Sequence, residues 1–333
     1  MAEPDHTSAR PVMATQRLGT TPADLARAGE ILAAGRLVAF PTETVYGLGA
    51  DATSPEAVAR LYAAKGRPSF NPLIAHVPDL AAAFSLGNFP PLAVKLAKAF
   101  WPGALTLVVP ATPTSPVCEL ARAGLPSLAI RVPDHPVAQA ILRRAGRPIA
   151  APSANRSGHI SPSLAAHVAA DLDGIIDAIV DGGPTAIGVE STILGCLDDT
   201  VVMLRPGGIA REAIEAVLGF ALKDAAGDAE APLAPGRLSS HYAPEHTLRL
   251  GATTVRPGEA CLGFGLPLPE GAMPHLSLNL SERGDPAEAA ANLYRHLRAL
   301  DQLSTTGIAV APIPAHGLGE AILDRLARAA AAK

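Results

Sequence analysis

From about residue 16 to residue 219, short apolar runs of strand type alternate with segments of helical period. That alternation calls for an α/β architecture, because each strand then has a neighbouring helix to cover it. Leu37-Val38-Ala39-Phe40 reads as a buried strand ended by Pro41. Ser54-Pro55-Glu56 supplies a capping hydroxyl and a first-turn proline for a helix that runs through Lys65 and stops at Gly66. Further strands are expected at 73–77, 105–109, 128–132, 149–151, 175–180, 191–194 and 201–204. Helices are expected at 79–86, 91–100, 136–145, from Pro162 onward, and at 210–218. Pro41 to Gly49 reads as a strand end followed by a turn rich in hydroxyls and glycine.

The pattern breaks at 220–247, a stretch of Gly, Ala, Asp and Pro that ends in His241-Tyr242-Ala243-Pro244. It is too long for an ordinary connection and marks a functional segment or a domain boundary. Beyond it, strands at 247–250, 260–264, 276–280 and 308–311 and helices at 286–303 and 317–331 form a smaller α/β unit. At 333 residues the chain has room for two domains. The division is a flexible tail at 1–15, a domain at 16–219, a linker at 220–247 and a small domain at 248–333.

Composition narrows the function. With 48% hydrophobic and 17% charged residues the chain is globular rather than disordered, and a formal charge of −4 argues against a broad basic surface for nucleic acid. A local cleft remains open to Lys65, Arg67, Arg131 and Arg205. Cys118, Cys196 and Cys261 form neither a disulfide framework nor a zinc spacing. There is no run of membrane-span length and no signal-peptide pattern, so the expected location is cytoplasmic. The Walker pattern GxxxxGK[ST] and the HExxH motif are absent. Gly263-Phe264-Gly265 precedes a proline-rich stretch rather than a helix, so it is no dinucleotide fingerprint.

Two short motifs, about ninety residues apart, carry the chemistry. Lys65-Gly66-Arg67 offers two cations, and Ser153-Ala154-Asn155 offers a hydroxyl and an amide. Together they suit a phosphorylated ligand such as a nucleotide. Pro68 and Pro72 brace the loop that holds Asn71. His76 sits mid-strand, as a satisfied core histidine or as a ligand residue. Arg131 closes an apolar run, where a guanidinium either snorkels or clamps a carboxylate.

Set in order with Pro41-Thr42-Glu43-Thr44-Val45-Tyr46-Gly47-Leu48-Gly49, Gly188-Val189-Glu190-Ser191-Thr192-Ile193 and Arg205-Pro206-Gly207, these motifs resemble the threonylcarbamoyl-AMP synthase family. The likeness covers the chain after its tail. It implies the long form of that family: a YrdC-type twisted-sheet catalytic domain and a smaller Rossmann-like α/β C-terminal domain, joined by a long ordered linker. It further implies condensation of L-threonine, bicarbonate and ATP to threonylcarbamoyl-AMP and pyrophosphate, with Mg²⁺ on the phosphates. Other proteins would then transfer the threonylcarbamoyl group to tRNA, weak tRNA contact is possible, and no membrane is involved.

By the same resemblance Thr44, His76, Arg131 and Ser191 hold threonine. Lys65, Arg67, Asn71, Ser127, Ala151, Ser153, Asn155, Arg205 and Tyr242 hold ATP, with Lys65 and Arg67 as the catalytic cations. No protein ligand for a metal is assigned. Ser239 and Ser240 stand where many relatives carry an aromatic and a basic residue. The chemistry fits: positioning two anions and neutralising a leaving pyrophosphate needs cations more than a covalent group. No general base stands out. The alternative is a non-catalytic RNA-binding module of the same fold. A carbamoyl-transfer domain from metalloenzyme maturation fits less well, because the acylphosphatase-like and zinc-finger segments that accompany it are missing.

Overall fold

A computed structural model describes residues 14–225, 242–303 and 305–331. The expected tail to residue 13 and linker residues 226–241 lie outside it. The first unit runs β1 (Gln16–Leu18), α1 (Pro22–Ala33), β2 (Val38–Pro41), β3 (Tyr46–Asp51), α2 (Pro55–Lys65), β4 (Ile74–His76), α3 (Leu80–Leu86) and α4 (Pro91–Phe100). It continues through β5 (Leu105–Pro110), β6 (Ser127–Arg131), α5 (Pro136–Ala145), β7 (Ile149–Ala150), α6 (Ala165–Leu172), β8 (Ala178–Val180), β9 (Thr192–Gly195), β10 (Val202–Arg205), α7 (Arg211–Leu218) and β11 (Lys223–Asp224). The second comprises β12 (Leu248–Arg249), β13 (Glu259–Gly263), β14 (Ser277–Asn279), α8 (Pro286–Asp301), β15 (Gly307–Val310) and α9 (Leu318–Ala330).

The first unit forms one mixed sheet in the order β1-β8-β2-β3-β7-β4-β6-β5-β9-β10-β11. The second forms a four-stranded parallel sheet in the order β12-β15-β13-β14. The two-period of the strands sorts side chains between two faces. Ala75, Leu107, Ile130, Leu194 and Met203 point into the main helix-covered core, whereas Ile74, Val108, Ala129, Ile193 and Leu204 form a small cluster on the opposite face. His76 is two residues beyond Ile74 and pairs in register with Arg131, so both belong to that second face.

Two expectations change. The segment after Pro41 is not all turn, because Tyr46–Asp51 is a strand buried along its length and antiparallel to β2. Its glycines masked it; Gly49 lets the hairpin close, since a Cβ there would meet Phe40 at 2.7 Å. The helix expected from Pro162 starts at Ala165, because the preceding residues are used as extended backbone. The Pro162 carbonyl accepts from Tyr46 N and the Ser163 carbonyl from Thr185 N.

The second unit has an apolar core of its own, and that core continues into the first. Val45, Ile160 and Val189 pack in one cluster with Tyr242, Leu293, Tyr294 and Ile322. Gly188 (φ 78°) makes the approach possible: a Cβ there would lie 2.2 Å from the Ala290 carbonyl of α8. Arg211–Glu320 (2.6 Å) and Arg298–Asp171 (3.3 Å) ion pairs span the same seam.

Candidate active site

A narrow cavity opens against the second face of the large sheet. Ile74 and His76 of β4, Ala151 to Ser153 after β7, Ser191 before β9, Arg205 at the end of β10 and Arg67 line it, with Val45, Leu73, Glu190 and Tyr242 completing the wall. Helix α2 delivers the cations. Ser54 Oγ accepts from Ala57 N to start it, and Gly66 (φ 59°) ends it in the left-handed conformation, so Lys65 occupies the last turn and Arg67 the loop.

Lys65 is buried, and its Nζ donates to the carbonyls of Ser153 (2.6 Å) and Asn155. Burial, and then the charge of Arg67, push its pKa well below the usual value. Burial also brings Arg67 down to about 10, despite its proximity to Tyr62 and Tyr242. The Arg67 guanidinium donates to the carbonyls of Asn71 (3.4 Å) and Pro72 (3.2 Å). Arg67 Nε, Asn71 Oδ1 and Asn155 Oδ1 are buried without a hydrogen-bond partner among the described residues. Buried polar atoms in native proteins nearly always have a partner, so this trio suggests groups that a ligand would satisfy.

On the other side, burial and then the Arg131 charge hold His76 at about 3, which keeps the ring neutral near pH 7. Arg131 donates to Glu43 Oε1 (2.6 Å) and to Thr44 Oγ1 (2.9 Å). Ser191 Oγ bonds Thr106 Oγ1 at 2.7 Å, and its carbonyl accepts from Arg205 at 2.8 Å.

The second unit closes the wall. Glu190 accepts from Ser161 Oγ (2.6 Å), Tyr294 OH (2.9 Å to Oε2) and Arg325 Nε (2.7 Å). Burial alone would raise its pKa, but the charges of Arg325 and Arg205 bring it to about 2. Tyr242 (φ 67°) is buried, stacks on Tyr294 at 5.8 Å and lies under the Arg325 guanidinium at 5.4 Å. A left-handed φ at a tyrosine is strained, and strain of this kind concentrates where a side chain must be aimed.

Residues 30–207 match the Sua5/YciO/YrdC family, described as telomere recombination, and residues 209–331 match the C-terminal domain of threonylcarbamoyl-AMP synthase. The chain is 45% identical over 332 residues to the threonylcarbamoyl-AMP synthase of Bacillus subtilis, covering 95% of each sequence. The chain belongs to the threonylcarbamoyl-AMP synthase family. As such it is an enzyme of the nucleotidyltransferase type. The synthase of Pyrococcus abyssi is 39% identical over 312 residues, covering 89% of this chain and 90% of that one. The crystal structure of P. abyssi Sua5 complexed with L-threonine superposes with a TM-score of 0.85 at 35% identity, over 96% of this chain and 98% of that one.

Of the residues that the family resemblance singles out, Arg67, His76, Ala151, Ser153, Ser191, Arg205 and Tyr242 line the cavity. Lys65 bonds the carbonyl of Ser153 in the lining and also that of Asn155, Asn71 accepts from Arg67, and Arg131 and Thr44 stand bonded to each other beside His76. Ser127 does not line it; it opens β6, opposite Pro110 and four residues before Arg131. Sequence reasoning missed Glu190, Ser161, Tyr294 and Arg325. Glu190 lay within a quoted motif and was a findable carboxylate, whereas Tyr294 and Arg325 look like ordinary positions on amphipathic helices.

A larger cavity of about 520 Å³ at the same seam holds none of the assigned residues. Its wall carries the Arg298–Asp171 and His246–Asp301 pairs. Among the described residues no His/Cys/Asp/Glu cluster of metal-binding size occurs, and no helix is long and apolar enough to cross a membrane.

Proposed function

We propose that this chain makes threonylcarbamoyl-AMP from L-threonine, bicarbonate and ATP. The threonine amine adds to the bicarbonate carbon with loss of water, giving a carbamate. A carbamate oxygen then attacks the α-phosphorus of ATP, and pyrophosphate leaves. The observation that carries this reading is that Arg67 and Arg205, both buried, face one cavity with His76 and Ser191. Buried cations of like sign raise each other's cost, and a polyanion offsets it.

In this reading Lys65, Arg67, Asn71, Ala151, Ser153, Asn155, Arg205 and Tyr242 hold ATP, with Ser127 further along β6. Thr44, His76, Arg131 and Ser191 hold threonine. Lys65 and Arg67 neutralise the leaving pyrophosphate. Mg²⁺ would arrive on the ATP phosphates; Glu190, the carboxylate of the cavity, has both oxygens engaged by Ser161, Tyr294 and Arg325, and is not assigned to it. Tyr242, closing over the nucleotide, would help exclude water; the linker residues before it, up to 241, lie outside the described residues. The product would pass, in the cytoplasm, to proteins that place the threonylcarbamoyl group on tRNA.

The test is mass spectrometry of a reaction of the purified protein with ATP, Mg²⁺, bicarbonate and L-threonine. Threonylcarbamoyl-AMP and pyrophosphate should appear, should need both threonine and bicarbonate, and should vanish in Arg67→Ala. A folded protein that binds ATP and gives no product would overturn the reading in favour of a non-catalytic RNA-binding module.

A further inference from the structure

Beside the cavity lies a hydroxyl that the family resemblance does not single out. Leu107 of β5 pairs with Ile130 of β6, so one step along the antiparallel register Thr106 stands level with Arg131, which itself pairs with His76 of β4. The side-chain period of two puts Thr106 on the face of Val108, the second face of the sheet, to which His76 and Arg131 also belong. His76, Arg131 and Thr106 thus form one row across three adjacent strands, and the first two are residues assigned to threonine.

Thr106 is buried, and among the described residues its Oγ1 has one hydrogen-bond partner, Ser191 Oγ at 2.7 Å. Ser191 lines the cavity. A hydroxyl carries one hydrogen and two lone pairs. Were Ser191 the donor, the Thr106 hydrogen would be buried with no acceptor, which costs free energy. With Thr106 donating, one lone pair of Ser191 Oγ meets Thr106 and the other faces Arg205 Nη2, a donor at 3.4 Å. The hydrogen of Ser191 is then left over, and the cavity, unlike the core around Thr106, admits an acceptor for it.

We propose that Thr106 is a positioning residue for L-threonine: by donating to Ser191 Oγ it makes the Ser191 hydroxyl a donor aimed at a carboxylate oxygen of the amino acid. The proposal rests on the reading above, in which Ser191 holds threonine, and adds the group that fixes where its hydrogen points. A hydroxyl kept only for packing would act differently, since its loss would lower stability without separating threonine from ATP.

The experiment is calorimetric titration of the full chain with L-threonine and, separately, with ATP, beside the product assay. The variants are Thr106→Val, which keeps the shape and removes the donor, Thr106→Ser, which restores the hydroxyl, and Thr106→Val combined with Ser191→Ala. Thr106→Val should weaken L-threonine binding by about threefold to tenfold and raise KM for threonine more than it lowers kcat, with ATP binding within about twofold of wild type. Thr106→Ser should bind threonine within about twofold of wild type. In the Ser191→Ala background Thr106→Val should add less than about twofold, because the group it acts through is gone. A Thr106→Val loss below about threefold, an equal loss for ATP, or a full further loss on top of Ser191→Ala would overturn the proposal. If Thr106→Val does not fold, Thr106→Cys decides, since a thiol is a weak donor of similar size: threonine binding weakened by about threefold supports the role, and unchanged binding overturns it. Wild-type protein that binds L-threonine without forming product would defeat the reaction and leave the Thr106 assignment standing. Wild-type protein that does not bind L-threonine would overturn both.

Discussion

Lys65 Nζ donates to the Ser153 carbonyl at 2.6 Å, joining two motifs that lie 88 residues apart. The same side chain reaches the Asn155 carbonyl, so Lys65 clasps the SxN loop at two points. Lys65→Met keeps the stem and removes both bonds. It should cost about 1–3 kcal/mol of stability, because two buried carbonyls lose their donor, and it should abolish synthesis. Arg67→Met, whose bonds are longer, should abolish synthesis at a smaller stability cost. Urea unfolding beside the product assay separates the two, and equal stability losses would refute the clasp.

The Glu43–Arg131 pair is the second prediction. Arg131 Nη2 lies 2.6 Å from Glu43 Oε1, and both side chains are buried. Breaking a buried pair from one side strands the partner's charge, at about 3–5 kcal/mol for full removal. Glu43→Gln keeps the shape and an acceptor, so the expected loss is about 1–3 kcal/mol. Because Arg131 is oriented through this pair, KM for L-threonine should rise more than kcat falls. An unchanged KM would detach Glu43 from the threonine side.

These two pairs also show what the sequence discloses. Lys65 and Arg67 could be placed at a helix end because Ser54, Pro55 and Gly66 are local signals of a start and a stop. Strand β3 escaped because a strand with two glycines looks like a turn until Phe40 is seen packed against one of them. Ser153 and Asn155 were recognised as ligand-type side chains, yet their carbonyls do the clasping, and every residue has a carbonyl. The partners of Glu190 were hidden for a different reason. Tyr294 and Arg325 come from beyond the linker, and nothing in a helical period says which distant loop its inner face will meet.

His76 gives a prediction in pH. Its folded pKa of about 3 lies below the ordinary 6.5, with burial as the main cause. Between those values the unfolded chain binds a proton that the folded chain does not. Stability is therefore fully present above about pH 6.5 and is lost as pH falls toward about 3. The contribution is up to one proton, or about 1.4 kcal/mol per pH unit. His76→Asn should flatten the dependence of urea midpoints on pH between about 5 and 6.5, above the carboxylate range. His167, held at about 4 by burial and Arg298, should retain its share. An identical slope in the variant would mean that His76 is protonated in the native state.

Gly188 offers the last test, because it separates backbone strain from the fit between the two units. Gly188 and Gly219 both have positive φ, at 78° and 87°. A Cβ on Gly219 meets nothing within 4 Å, whereas one on Gly188 meets the Ala290 carbonyl at 2.2 Å and Ala291 Cα at 2.5 Å. Gly219→Ala should therefore cost the left-handed conformation alone, about 1–2 kcal/mol. Gly188→Ala should cost that plus overpacking against rigid helix backbone, about 2–5 kcal/mol together. The added methyl pushes α8 away from the segment that carries Glu190 and Ser191, and Tyr294 rides on α8. Gly188→Ala should thus lose synthesis at temperatures where it is still folded, while Gly219→Ala keeps it. Circular dichroism melts paired with product assays at matched folded fraction give the comparison. Equal activity of the two variants would show that the seam tolerates displacement of α8, and that the site does not depend on its contact with the C-terminal unit.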